Sequence, residues 1–404
     1  MKKYRIFLVI GGKMNPHDES HLWLRNLYDP LVELGHDVFL LDIDKYATDN
    51  HLGHMSVEAK EQLSNELPTI FLKEHQAKKF DIFFSYLHHG QIEPSVLKEI
   101  SKHIYTINYS TNYHQFEMYK EIVQNVHKNI YISKIAKEGF DNLGVDSYWM
   151  PIAATPTTYK PATTKNNHSV FVGSCYGHRT YLFWRLLQYG IDLHVYGNDW
   201  CAVEPPPPIP LPPPIPKNPS LKWKINQFFL STIGYEFKKP TVNVVVQDLT
   251  PLEDKVQDAY HYLNRQILND IQQNFSQRIH ASLSGEDYVK VLGEAGIVVN
   301  IQESRFNHDY NNHRVLFGSN LRDYETTMCG SFLCTQYSEE ISNLFEIDKE
   351  IVCYHNEHDL ADKIKYFTKN QMQRDRIAMA GHKKALQEHT WHKRLEKFFS
   401  TITL

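Results

Sequence analysis

Residues 169–200 read SVFVGSCYGHRTYLFWRLLQYGIDLHVYGNDW, and this stretch decides the fold class. Ser169–Gly173 is an apolar run of strand length, Arg179–Tyr189 has the length and pattern of a helix, and Asp192–Gly197 is a second strand. A strand apolar along its whole length must be covered on both faces. That is the condition of a parallel sheet flanked by helices.

The same alternation runs outward in both directions. Upstream, Tyr4–Ile10, Asp37–Ile43, Phe80–Tyr86, Ile104–Asn108 and Asn129–Ser133 are short runs rich in Ile, Phe, Val and Tyr. Between the first two, Leu24, Leu27, Leu31 and Leu34 recur every three or four residues, and Gly35 follows as a C-cap. Downstream come strands at Ile297–Ile301, Ser331–Thr335 and Ile351–Tyr354, with helices at Arg322–Cys329, Glu357–Lys369 and Gln371–Gln387. A Pro/Thr-rich bridge, Ala153–Thr164, separates the two series. The expectation is an α/β protein of two Rossmann-like domains, 1–155 and 156–404, whose parallel sheets face a cleft, with the final helix packing back on the first domain. Ligands of open α/β sheets bind outside the carboxyl ends of the strands.

The second series is interrupted over Val203–Ser284. Ten of the chain's 19 prolines lie between Pro205 and Pro219, and that run is polyproline-like or irregular because it lacks backbone donors. After the aromatic Trp223, Phe228 and Phe229 and a strand-like TVNVVVQ, the residues Leu252, Val256, Ala259, Leu263, Ile267, Ile271 and Phe275 form a helical stripe. Ordinary packing accounts for such a stripe. A homodimer seam along 252–280 is the sharper reading, and a membrane-surface contact the third.

The 404 residues include 43 basic and 47 acidic ones, for a net charge of −4. This balance excludes intrinsic disorder and a broadly basic nucleic-acid binder. Five cysteines, none in a CxxC pair, give no disulfide framework or zinc ribbon. MKKYRIFLVIGG has too short an apolar run and no cleavage site, so it reads as a buried first strand rather than a leader. The expected location is cytoplasmic, with no transmembrane segment.

Three motifs fail. Gly11 and Gly12 follow the first strand, but the run GGKMNP lacks the later glycines of a dinucleotide fingerprint. Asp42-Ile43-Asp44 has DxD spacing but ends a strand inside a parallel-sheet pattern. His17 and His21 are four apart without the glutamate of an HExxH helix, so the 23 histidines define no metal centre and none is expected.

Residues 320–335, NLRDYETTMCGSFLCT, carry more chemistry. Asn320 opens a helix, and Arg322 and Glu325 share one face of its start. A helix N-terminus with an arginine suits phosphate oxygens, and Glu325 is placed to accept two ribose hydroxyls. An ordinary intrahelical Arg–Glu pair satisfies the same spacing.

Four stretches together resemble a family: residues 169–200 above, GEDYVKVLGEAGIVVNIQES, NLRDYETTMCGSFLCTQYSEEISNLFE and DRIAMAGHKKALQEHTWHKRL. They are similar to GT-B-fold glycosyltransferases of the CgeB-like spore-maturation group, related to glycosyltransferase family 1. The resemblance covers roughly 170–200 and 285–395; the N-terminal half matches only in strand–helix order. It implies a nucleoside-diphosphate sugar as donor substrate and no cofactor. Glu325 then matches the acid that holds the ribose, Arg322 is a candidate diphosphate ligand, and Asn320 counts among the donor-binding residues. Gly173 and Ser174 form the loop that the phosphates approach, with Arg179 either assisting there or packing at its helix start, while Tyr196, Gly197 and Trp200 border the base or sugar. The related EX7E pattern has a further acid eight residues earlier, where this chain has Phe317. The catalytic base would come from loops after the first domain's strands: His88, His89 and His17 are preferred, ahead of Asp18 and His114. The acceptor is a glycan, protein or small molecule; alternatives are a modified DNA base as acceptor, a binding protein without chemistry, or a nucleotide-sugar epimerase.

Overall fold

A computed structural model describes residues 2–11, 22–46, 55–110, 116–175, 179–200, 265–301, 308–309, 314–315 and 318–404. His17, Asp18, His21, His114, Phe317, the proline run and most of the stripe from Leu252 lie outside the described residues.

Two parallel six-stranded sheets form the frame. The first contains β1 (Arg5–Ile10), β2 (Asp37–Asp42), β3 (Ile82–Ser85), β4 (Tyr105–Ser110), β5 (Lys128–Tyr131) and β6 (Ser147–Trp149). Its spatial order is β2-β1-β3-β4-β5-β6. The second contains β7 (Ser169–Val172), β8 (Leu193–Tyr196), β9 (Ile279–His280) and β10 (Ile297–Asn300). A small antiparallel pair, β11 (His308–Asp309) and β12 (Arg314–Val315), precedes β13 (Leu333–Gln336) and β14 (Val352–Tyr354), which complete the second sheet. Its order, β14-β13-β10-β7-β8-β9, is the Rossmann order 3-2-1-4-5-6 read from the far edge. The strand order reverses between β1 and β3 in the first sheet and between β7 and β10 in the second. Those two crevices are where ligands of such sheets bind.

The strands are apolar on both faces because both faces are covered. On one side of the first sheet, Phe7, Val9 and Phe83 pack against Leu63, Leu67 and Phe71 of the Val57–Ala77 helix. On the other, Ile6, Leu8, Ile82, Phe84 and Ile107 share a core with Leu27, Leu31 and the last helix, Trp391–Phe399. The edge strands β6 and β9 are three and two residues long and lack an apolar run, so pattern reading passes over them. The Leu22–Leu34 helix takes a π-helical turn at Leu24–Tyr28 before an α-helical Asp29–Glu33.

The last helix belongs to the first sheet's cover although it follows the second sheet in the chain. Thr390 bridges to Ala154, the Tyr4 hydroxyl reaches the Ile402 carbonyl, and the Trp391 ring packs edge-on to Trp23 and Tyr109. A second tie runs through Glu340, which is buried between the sheets. One of its carboxylate oxygens accepts from the Ser133 hydroxyl (2.7 Å) and Lys134 N–H (2.6 Å); the other accepts from the Ser319 N–H (3.0 Å) and hydroxyl (2.7 Å).

Two buried histidines at this seam make it acid-sensitive. His36 accepts the Tyr4 N–H and packs at a tilt against Phe399, and burial lowers its pKa from 6.5 to about 4. His389 contacts the Leu344 carbonyl through Nε2 and the Arg394 guanidinium through Nδ1; burial, then Arg394, lowers its pKa to about 3. Both are neutral when folded and take up protons once unfolded, so their contribution is intact above pH 6.5 and is lost progressively as pH falls toward about 4 and 3. One such group adds a slope of up to about 1.4 kcal/mol per pH unit. Urea midpoints between pH 7 and pH 5 should therefore fall more steeply for the wild type than for His389→Gln, which offers an oxygen to Arg394 and an N–H to Leu344. Equal slopes would remove His389 from the account.

Candidate functional site

The crevice between β7 and β10 is built by short polar ties. Arg179, at the start of the Arg179–Gln188 helix, donates to the Ser174 carbonyl after β7 and the Ile301 carbonyl after β10, both at 3.0 Å. It therefore spans the reversal point and fixes the two loops that border it. The Trp200 indole donates to the Gly173 carbonyl at 2.8 Å and its ring is buried against Phe171 and Phe183. Trp200, expected at the base or sugar, is buried with its indole on a loop carbonyl, and Arg179, expected to assist at the phosphates, also braces the two loops. Gly173 and Gly197 meet backbone to backbone: a Cβ on Gly197 would lie 2.1 Å from the Gly173 oxygen. Tyr196, half-buried, stacks on His280 at 4.5 Å.

The Leu321–Met328 helix starts beside the carboxyl end of β10. Asn320 accepts the Arg322 N–H, and Asp323 reaches back to the Asn320 N–H in a reciprocal cap. Asn300, the last residue of β10, donates to Asp323 at 2.6 Å, tying the cap to the sheet. At the helix end expected to face phosphate, the chain's own side chains thus already take the Asn320 and Arg322 N–H groups.

One turn further, Glu325 is buried and its carboxylate has three donors. Oε1 accepts from the Tyr159 hydroxyl at 2.6 Å; Oε2 accepts from Arg322 at 2.8 Å and from the Tyr288 hydroxyl. Burial raises the Glu325 carboxyl above the ordinary range, against the pull of Arg322 and the Tyr159 hydrogen bond. The guanidinium of Arg322 lies 4.6 Å from the Tyr288 ring centre. Tyr159 comes from the bridge between the sheets and Tyr288 from the Gly285–Glu294 helix, which also starts at the carboxyl edge. No spacing rule reaches either of them from Glu325.

In the first sheet, His88 and His89 follow β3 at the reversal point. His88 is buried and its Nδ1 accepts the Gly90 N–H, with Tyr119 at 6.0 Å; His89 is half-buried. Asp42 accepts the Asp44 N–H, which closes the turn after β2. Among the described residues, the ligand-type atoms of His168, Asp192 and His194 converge within 4.8 Å, at the amino ends of β7 and β8. Arg278 pairs with Asp192 and lies 2.8 Å from His194 Nε2, so a side-chain cation already sits there. A cavity of about 430 Å³ lined by Lys98, Gln124 and His127 lies at the amino ends of β4 and β5, the opposite edge from the crevices.

The arrangement matches solved structures over almost its whole length. The structure of Anabaena HepE with UDP-glucose superposes with a TM-score of 0.57 at 10% identity, covering 98% of this chain and 100% of that one. Sucrose-phosphate synthase from Thermosynechococcus elongatus gives 0.57 at 10% identity and 98% of each chain. A glycosyltransferase from Rickettsia africae gives 0.56 at 10% identity, covering 99% of this chain and 98% of that one. The fold is GT-B. Residues 256–400 match the family model described as glycosyl transferase-like. No curated protein matches the sequence significantly. In this GT-B chain no helix among the described residues is long and apolar enough to cross a membrane. The match spans Tyr288, Asn320, Arg322 and Glu325, whereas Tyr159, Gly173 and Arg179 lie before it.

Proposed function

We propose that the chain is a glycosyltransferase of the CgeB-like type, moving a sugar from a nucleoside-diphosphate sugar to a glycan, protein or small-molecule acceptor without a metal ion. The observation that carries this reading is the buried Glu325–Arg322 pair beside the carboxyl end of β10, an acceptor for a ribose diol next to a cation for phosphate. The GT-B neighbour HepE was solved with UDP-glucose and with UDP and glucose, which supports a nucleotide-sugar donor for this frame. In the first sheet, both His88 and His89 follow β3; the Gly90 N–H already takes the acceptor nitrogen of His88, so His89 is our candidate for the general base.

Transfer requires that the departing diphosphate be stabilised and the acceptor oriented. Arg322 supplies the charge, and the Gly173–Gly197 contact holds the loop that would meet the phosphates. A thermal-shift panel of UDP, GDP, ADP, CDP and dTDP and their sugars should single out one nucleotide. At a hundredfold excess over its Kd it stabilises the folded state by about 2.7 kcal/mol. Glu325→Ala removes a charged acceptor for two hydroxyls, so its affinity for that nucleotide should fall at least about tenfold. An unchanged response in the variant would sink the donor site. Binding with no sugar release and no transfer, by contrast, would favour a protein that holds the nucleotide sugar without reacting it.

A further inference from the structure

Resting on the donor-site reading of Glu325, we propose that Tyr288 is a gate on that site: its hydroxyl stands where a ribose hydroxyl of the donor must go, and the donor enters by displacing it.

Glu325 Oε1 accepts from Tyr159, and Oε2 accepts from Tyr288 and Arg322. A vicinal diol presents one O–H to each oxygen of a carboxylate. The two tyrosine hydroxyls already occupy that pattern, and Glu325 is only 4% exposed beneath them. Oε1 has room for a second donor, but Oε2 already has two, so a diol that spans both oxygens has to displace a donor from Oε2. Tyr159 is buried, but Tyr288 is half-buried, on the exposed first turns of its helix. Its ring packs only on the margin of the core, so Tyr288 is the one that yields.

The same side chain covers the second donor group. Arg322 faces the Tyr288 ring at 4.6 Å and shares Glu325 Oε2 with its hydroxyl. Turning Tyr288 out uncovers the guanidinium as it frees the carboxylate. Ribose and diphosphate recognition are therefore coupled through one residue: a ligand without the diol does not pay for opening the gate and does not gain Arg322.

Isothermal titration with the nucleoside diphosphate that stabilises the wild type most is the test, run on wild type, Tyr288→Phe and Glu325→Gln. Tyr288→Phe keeps the ring over Arg322 and deletes the competing hydroxyl, so it should bind roughly tenfold tighter. The gain should vanish with the 2′,3′-dideoxy nucleotide, which brings no hydroxyl to replace it. If Glu325→Gln weakens binding while Tyr288→Phe is unchanged or weaker, the gate is overturned and the donor site stands. If Glu325→Gln binds like the wild type, both fall.

Discussion

Glu340→Ala is expected to lower the unfolding free energy by about 3–5 kcal/mol, among the largest effects of any single substitution here. The carboxylate accepts four hydrogen bonds in a buried position, two from residues after β5 and two from Ser319 before the Leu321–Met328 helix. Ser319 is itself held by the Tyr324 hydroxyl at 2.9 Å, so the loss spreads into the helix that carries Glu325. Alanine leaves the Ser319 N–H buried without an acceptor and the Lys134 N–H partly so. Glu340→Gln should cost less: the serine hydroxyls can rotate to accept from the amide, and only one backbone N–H then faces an NH2 group. Urea unfolding gives the magnitude, and hydrogen exchange at residues 133–136 and 318–320 gives the place. A loss under about 1 kcal/mol with unchanged exchange at both places would show that the two sheets are held together elsewhere.

Gly197→Ala should be the second severe change, and it couples stability to binding. The new methyl would meet the Gly173 oxygen at 2.1 Å and its carbonyl carbon at 2.6 Å. Both are backbone atoms, so no side-chain rotation relieves the overlap and the loop after β7 has to move. Overpacking of this kind costs about 3 kcal/mol. The moved loop contains Ser174, whose carbonyl Arg179 holds, and Gly173, whose carbonyl Trp200 holds. Nucleotide affinity should therefore drop with the melting temperature. Gly190→Ala is the matched control: Gly190 has φ +70° but open space around it, so alanine there costs only about 1 kcal/mol of backbone strain and leaves binding alone. A Gly197→Ala protein that melts and binds like the wild type would show that the two loops tolerate separation.

The architecture was legible because its strands are short and apolar on both faces, a pattern only a doubly covered sheet produces. Residues 169–200 alone contain a complete strand–helix–strand unit, with ends within a residue or two of those found. The site was legible only along the chain. Arg322 and Glu325 are three residues apart, and their pairing follows from helix geometry. The partners that decide what Glu325 does, Tyr159 and Tyr288, are 166 and 37 residues away and come together only through the tertiary fold. Trp200 and Arg179 show a further limit: residue type suggests a ligand, but it does not announce the backbone carbonyls that both also hold. Glu340 carries no motif at all, because its partners are two serines and two backbone N–H groups.

The return of the last helix to the first sheet sets an order of events during synthesis. Leu27, Leu31 and Tyr109 share their core with Trp391, Leu395 and Phe398, residues made some 240 positions after β6. At about 5–20 residues per second the ribosome needs tens of seconds to deliver them. Throughout that interval the second face of the first sheet has only part of its cover, from Trp23, Leu27 and Leu31. The nascent chain is a natural client for a chaperone at that stage, and a ribosome stalled within the second half would leave a product prone to aggregate.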